Sequence, residues 1–199
     1  MKYDRRVIVL DLETQKGFHE VDRSKLHLLK VSVVGIYDSY DDAYHSYEEK
    51  EFLRLEERLK LADLLVGFNI VGFDLKVLVP YLLMDVRKLK VLDLLDEIHK
   101  TLGHRVSLQS LAQGTFKDSK SGSGWNAIQL YKDGRMDELK SYCLDDVRLT
   151  KQIYDYGLEH NKVFYFSNRD FAVHEVPVNW GSEALSRAEP ESSFPTSLF

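Results

Sequence analysis

Four acidic residues occupy positions where an uncompensated charge is costly. Asp11 and Glu13 stand two apart at the end of the apolar run VIVL, residues 7–10. On a strand that spacing puts both carboxylates on one face. There they repel unless a cation lies between them; the alternative is a solvated strand end. Asp74 closes the segment GFNIVGFD, residues 67–74, which leaves a second apolar run and opens a helix. Its two glycines permit close backbone approach, as a bound nucleotide would need. Asn69 and Phe73 add an amide and an aromatic face. The alternative for Asp74 is a first-turn carboxylate favoured by the helix dipole. Asp146 follows Tyr142 by four residues, so the two stack on one helix face. That face continues the apolar stripe Leu139, Cys143, Val147, Thr150, Ile153. A carboxylate on it must be paired or must ligate a metal. Asp145 points about 100° away and is the solvated neighbour.

Carboxylate and water oxygens suit the hard cations Mg²⁺ and Mn²⁺. Four such groups could converge on a pair of ions. Two ions about 4 Å apart can activate a water and stabilise the leaving oxygen of a phosphodiester.

The elements that must position these groups are legible as periodicity. Residues 7–10, 28–37 and 43–47 read as three strands, the first two separated by a polar loop over 14–27 and the last two by a short turn, together an antiparallel meander. Residues 48–61 read as an amphipathic helix with Phe52, Leu55 and Leu59 on one side. Then come a buried strand at 64–68, a helix over 71–83, a strand at 90–95 running into a helix, and a short helix over 106–116. Residues 117–124 (KDSKSGSG) are a polar loop, Asp133-Gly134 a turn, and 137–156 the longest helix. A meander followed by strand–helix alternation predicts an α/β fold, a mixed sheet with helices on its faces. The aromatic VFYF follows, then an irregular stretch to Trp180. The last fifteen or so residues carry Ser, Pro and Glu and are expected to be disordered.

With 199 residues the chain can bury one sizeable core and is short for two. Its single cysteine, Cys143, excludes an internal disulfide and a zinc cage of thiolates. No apolar run reaches membrane-spanning length, and four apolar residues before Asp11 are too few for a signal peptide. The expectation is a cytoplasmic protein with no membrane partner. A net charge of −5 argues against a bulk phosphate binder, which is usually basic. It leaves room for a nuclease, whose carboxylates are neutralised by metal.

Taken together, Asp11-Leu12-Glu13-Thr14, Asn69-x-x-x-Phe73-Asp74 and Tyr142-x-x-x-Asp146 resemble the three exonuclease motifs of the DEDD superfamily in its tyrosine branch. That branch includes the proofreading domains of DNA polymerases. The stretch from KSGSGWNAIQLY to KQIYDYG is similar to ribonuclease H-like exonuclease domains that occur alone or beside helicases. The resemblance covers roughly residues 6–160. It implies a ribonuclease H-like sheet of five to six strands, three antiparallel and then parallel ones. It places the domain at 1–165, with 166–199 as an irregular C-terminal extension. It also implies a 3′→5′ exonuclease with two Mg²⁺ or Mn²⁺ ions acting on a single-stranded DNA or RNA 3′ end, with a helicase or polymerase as possible partner. In that family pattern Asp11 would bridge both metals, and Glu13 and Asp146 would hold the one carrying the attacking water. Asp74 would serve the second, and Tyr142 would orient the water. Leu12, Thr14, Asn69 and Phe73 would contact the terminal nucleotide. The sister branch has histidine where this chain has Ser141.

Other motifs are weaker. KSGSG lacks the Gly-Lys-Ser/Thr ending of a phosphate-binding loop. His19-Glu20 and His174-Glu175 lack the second histidine of a zinc protease. His99 and His104 read as surface residues, and Cys143 as a packed thiol. Asp93 is a candidate fifth carboxylate. Lys117, Lys120, Lys132 and Arg135 could form a phosphate-contacting rim. Two competing functions remain at this level: a non-catalytic docking module of a helicase or polymerase complex, and an endonuclease of the ribonuclease H type.

Overall fold

The centre of the sheet is β1 (Val7–Thr14), whose apolar start is fully buried. The computed structural model describes residues 3–117 and 124–181. Strand β2 (Val31–Asp38) pairs antiparallel with β1, and β3 (Ala43–Tyr47) pairs antiparallel with β2. On the other side β4 (Leu64–Gly67) runs parallel to β1, and β5 (Val91–Asp93) parallel to β4. The order β3-β2-β1-β4-β5 is a mixed five-stranded sheet, the α/β arrangement expected from the meander and the alternation that follows it.

Alternation along β1 feeds two cores. Ile8, Leu10 and Leu12 face α1 (Phe52–Lys60) and α2 (Asp74–Leu78), packing with Leu55, Leu59, Leu75 and Leu78. Val7 and Val9 face the other way, toward α3 (Leu94–Leu102), α4 (Leu108–Phe116) and α6 (Met136–His160). Asp11 and Glu13 share the parity of Val7 and Val9, so they emerge on the side that α6 covers. The 25-residue α6 is uninterrupted by proline, and Asn161 in the left-handed conformation caps its end. Its predicted stripe of Leu139, Cys143, Val147, Thr150 and Ile153 is buried throughout. Gly35 of β2 lets α6 approach: a Cβ there would lie 2.9 Å from the Cys143 sulfur and 3.0 Å from Val147 Cγ2.

Several elements differ from the sequence expectation. The helix over 71–83 is shorter: α2 begins at Asp74 and passes into a 3-10 turn at Val79–Tyr81, with Pro80 inside it. Leu28 belongs to a 3-10 turn, Leu26–Leu29, before β2. An additional helix, α5 (Gly124–Lys132), follows the polar loop. Lys120 and most of that loop, like residues 182–199, lie outside the described residues.

The stretch after residue 165 is also more regular than expected. β6 (Lys162–Ser167) and β7 (Ala172–Pro177) form an antiparallel hairpin. Its register puts Val163 opposite Val176, and both join the core. The outer edge of β6 is taken up by α4: Ser110 Oγ donates to the Phe166 carbonyl at 2.7 Å. Thr115 Oγ1 donates to the Phe164 carbonyl at 2.9 Å and accepts from its N–H at 3.0 Å. Trp180 is buried against Gly157 and stacks near Tyr154, with ring centroids 6.3 Å apart. Apolar residues beyond the aromatic VFYF therefore close the core.

Candidate metal centre

The two faces of β1 and α6 bring three of the four candidate carboxylates together. Oxygens of Asp11, Glu13 and Asp146 all lie within 4.8 Å of one another, and the three residues are half-buried. The group arises from two periodicities. Strand alternation aligns Asp11 with Glu13, and Asp146 lies one turn beyond Tyr142 on the helix seated over them. The seat is fixed by Cys143, whose thiol donates to the Asp11 carbonyl at 3.6 Å. Burial, then the charges of Asp11, Glu13 and Asp146, raise the Cys143 thiol well above its ordinary range. The thiol is fully buried and packs in the core, as read from the sequence.

Asp74 approaches from the other side of β1. Its Oδ1 accepts the Leu12 N–H at 3.2 Å, and the residue is 3 % exposed. Burial and then the charge of Asp11 push its carboxyl well up. This is the signature of like charges crowded in a dry site, where a hard cation would restore both carboxylates to their ionised form. The donor set, carboxylate oxygens only, fits Mg²⁺ or Mn²⁺. The acidic triad could therefore hold a metal ion, with Asp74 behind Asp11. Tyr142 is half-buried beside the group. Burial first, then Asp146, Glu13 and Asp11, raise its hydroxyl, so the phenol stays protonated at neutral pH.

A cleft of ≈ 540 Å³ opens beside Glu13, lined by Leu12, Thr14, Phe18, Arg23 and Phe73 among others. Three of the four expected nucleotide-contacting residues thus line one space. Thr14 Oγ1 donates to the Lys16 carbonyl at 2.9 Å. Phe18, half-exposed, was not singled out from the sequence; its ring lies 5.5 Å from that of Phe73, tilted by 49°. The available signal was a large apolar ring in an otherwise polar loop directly after the Asp11/Glu13 pair.

Asn69 is placed differently. It has φ of +64°, and its side-chain carbonyl accepts from Arg105 Nη2 at 2.5 Å. The glycines at 67 and 72 were expected to admit a ligand. Instead they admit the chain itself: a Cβ at either would strike Ile70 or Asn69 Oδ1. Asp93, the candidate fifth carboxylate, is a brace. Its oxygens accept the N–H groups of Asn69 (2.8 Å), Val71 (3.0 Å), Leu95 (3.1 Å) and Asp96 (3.4 Å). It caps α3 and holds the loop leading to Asp74. Of the residues that could have formed a basic rim, and that read rather as solvated loop residues, Lys132 faces Glu20 at 3.9 Å and Arg135 is doubly held by Glu138. Lys117 lies at the far end of α6, beside Asp155 and Tyr156.

The fold and the acidic cluster define a nuclease-like α/β domain, and comparison with known proteins agrees. Residues 9–157 match the profile of the RNase_H superfamily, and the chain belongs to that superfamily. Among solved structures it is similar to the family B DNA polymerase from the hyperthermophilic archaeon Pyrobaculum calidifontis. That match has 19 % identity and a TM-score of 0.58 over 78 % of this chain. The chain spans 25 % of that polymerase's length, and the likeness is one of fold. No curated protein sequence matches the chain.

Proposed function

We propose that the protein is a metal-dependent 3′→5′ exonuclease that hydrolyses the terminal phosphodiester of a single-stranded DNA or RNA end. The carrying observation is the convergence of Asp11, Glu13 and Asp146 beneath Tyr142, with Asp74 behind Asp11. Mg²⁺ or Mn²⁺ held there would lower the pKa of a bound water and neutralise charge on the departing 3′ oxygen. The carboxylates supply the oxygens that hold those ions. Tyr142, kept neutral by its surroundings, donates its O–H to orient the attacking water. Phe73 and Phe18 offer ring faces to the terminal base, with Thr14 and the Leu12 edge beside them. Water adds to phosphorus, the bond to the 3′ oxygen breaks, and that oxygen takes a proton from solvent. The products are a 5′-mononucleotide and a strand shorter by one.

The cleft beside Glu13 and the superfamily membership support an enzyme over a bare docking module. The test is digestion of matched DNA and RNA strands, labelled at either end, with Mg²⁺ or Mn²⁺. Stepwise loss of a 3′ label as mononucleotide, abolished in Asp11→Ala and Asp146→Ala, is the expected result. Undiminished digestion by those variants would overturn the site. Cleavage of a closed circle would replace the reading with an endonuclease. Absence of both metal binding and cleavage would leave a docking domain for a helicase or polymerase.

A further inference from the structure

The superfamily match ends at residue 157, yet the ordered chain continues into the β6–β7 hairpin. The hairpin is linked by a series of contacts to the loop that leads to Asp74. Arg105, exposed on the link between α3 and α4, donates to Asn69 in the loop that carries Asp74. Its neighbour His104 meets Tyr165 of β6 edge-on, with centroids 5.8 Å apart. Tyr165 stacks on its cross-strand partner His174 at 5.2 Å and 26°. His174 in turn reaches Asp170 in the hairpin turn, at 2.8 Å. Because α4 runs along β6 from Ser110 beside Phe166 to Thr115 beside Phe164, the turn lies at the Arg105 end of α4. That turn exposes Arg169 and Phe171, the latter by 80 %.

The contacts thus run from Arg105 and its chain neighbour His104 through Tyr165, partly buried against the core, to His174 and the turn. Rings flanked by arginines suit single-stranded nucleic acid, since any base can stack and any phosphate can pair. A chain of net charge −5 cannot hold a strand by bulk attraction, so stacking next to a few local cations is the available means. We propose that this line is the track for the strand just upstream of the scissile bond, with Arg105 on a phosphate and the Tyr165–His174 stack beneath bases. The proposal rests on the exonuclease reading for its direction, but not for its existence.

Binding of a 3′-labelled twelve-nucleotide oligothymidylate, followed by anisotropy without divalent metal, tests it apart from hydrolysis. Tyr165→Ala and Arg105→Ala should each weaken binding about tenfold, as loss of one stacked base or one phosphate contact would. Tyr165→Phe should restore the affinity, because the ring remains. Leu53→Ser, on the remote α1, should bind like wild type, and circular dichroism should report all variants folded. His174→Ala carries the test should Tyr165→Ala fail to fold. The salt dependence should be shallow, with a slope matching only one or two phosphate contacts. Equal affinity for wild type, Arg105→Ala and His174→Ala would overturn the track, even where the enzyme digests 3′ ends. Variant-sensitive binding by a protein that never cleaves would uphold the track and sink the exonuclease.

Discussion

At the residue scale, two side chains separate chemistry from support. On the proposed function, Tyr142 lends a protonated hydroxyl to the attacking water without being one of the carboxylates that would hold metal. Tyr142→Phe should therefore lower kcat about tenfold, the worth of one hydrogen bond to a reacting water, while metal affinity by calorimetry stays near wild type. Asp93 does the reverse. Four N–H groups converge on its two oxygens, and in Asp93→Asn one of those oxygens becomes a donor facing an N–H. That change should cost about 1–3 kcal/mol in urea unfolding. Because the brace holds the loop before Asp74, activity should fall along with stability.

At the scale of elements, the convergence of Asp11, Glu13 and Asp146 depends on how closely α6 lies on β1 and β2. A methyl at position 35 would meet Cys143, Val147 and Leu144 at 2.9–3.2 Å. Gly35→Ala should push the helix outward, destabilise the fold by about 1–3 kcal/mol, and separate Asp146 from Asp11. Cys143→Ala in the same chain removes the sulfur and should recover part of the loss in both unfolding and activity assays. At the opposite end of the sheet, Asp38 closes β2 with no exposed surface. Burial opposes its charge. Hydrogen bonds from Arg6 (3.1 and 2.6 Å), the Tyr40 N–H (3.0 Å) and Arg58 (2.7 Å) outweigh that and hold it below its ordinary 3.8. A carboxyl lowered by folding stabilises above its ordinary pKa and ceases to do so as pH falls through the folded value. The melting temperature should thus drop below about pH 4, and Asp38→Asn should remove the share of that acid sensitivity due to this network.

For the whole molecule, the C-terminal hairpin and Trp180 complete the core on the α3, α4 and α6 side. Trp180→Ala should cost about 3–5 kcal/mol and lower the thermal midpoint by several degrees. Loss of the hairpin should also loosen α4, whose Ser110 and Thr115 are tied to β6. Hydrogen exchange in α4 would report that coupling as faster exchange in the variant.

Local register determined much of this protein in advance. Strand alternation alone aligned Asp11 with Glu13, helical spacing alone aligned Tyr142 with Asp146, and the apolar runs predicted the meander and the strand–helix alternation. These features depend on neighbours a few residues away, which is why a linear reading reaches them. The tertiary structure decided what depends on distant contacts. Asp93 acts on Asn69 and Val71, more than twenty residues earlier, so its type indicated a carboxylate but not a brace. The glycines at 67 and 72 leave space that the folded loop fills itself. Phe18 meets Phe73 across the cleft only in the fold, and the VFYF stretch becomes a strand only when Val176 pairs with Val163. Charge and periodicity are written along the chain, whereas the partner that satisfies each buried group is chosen by packing.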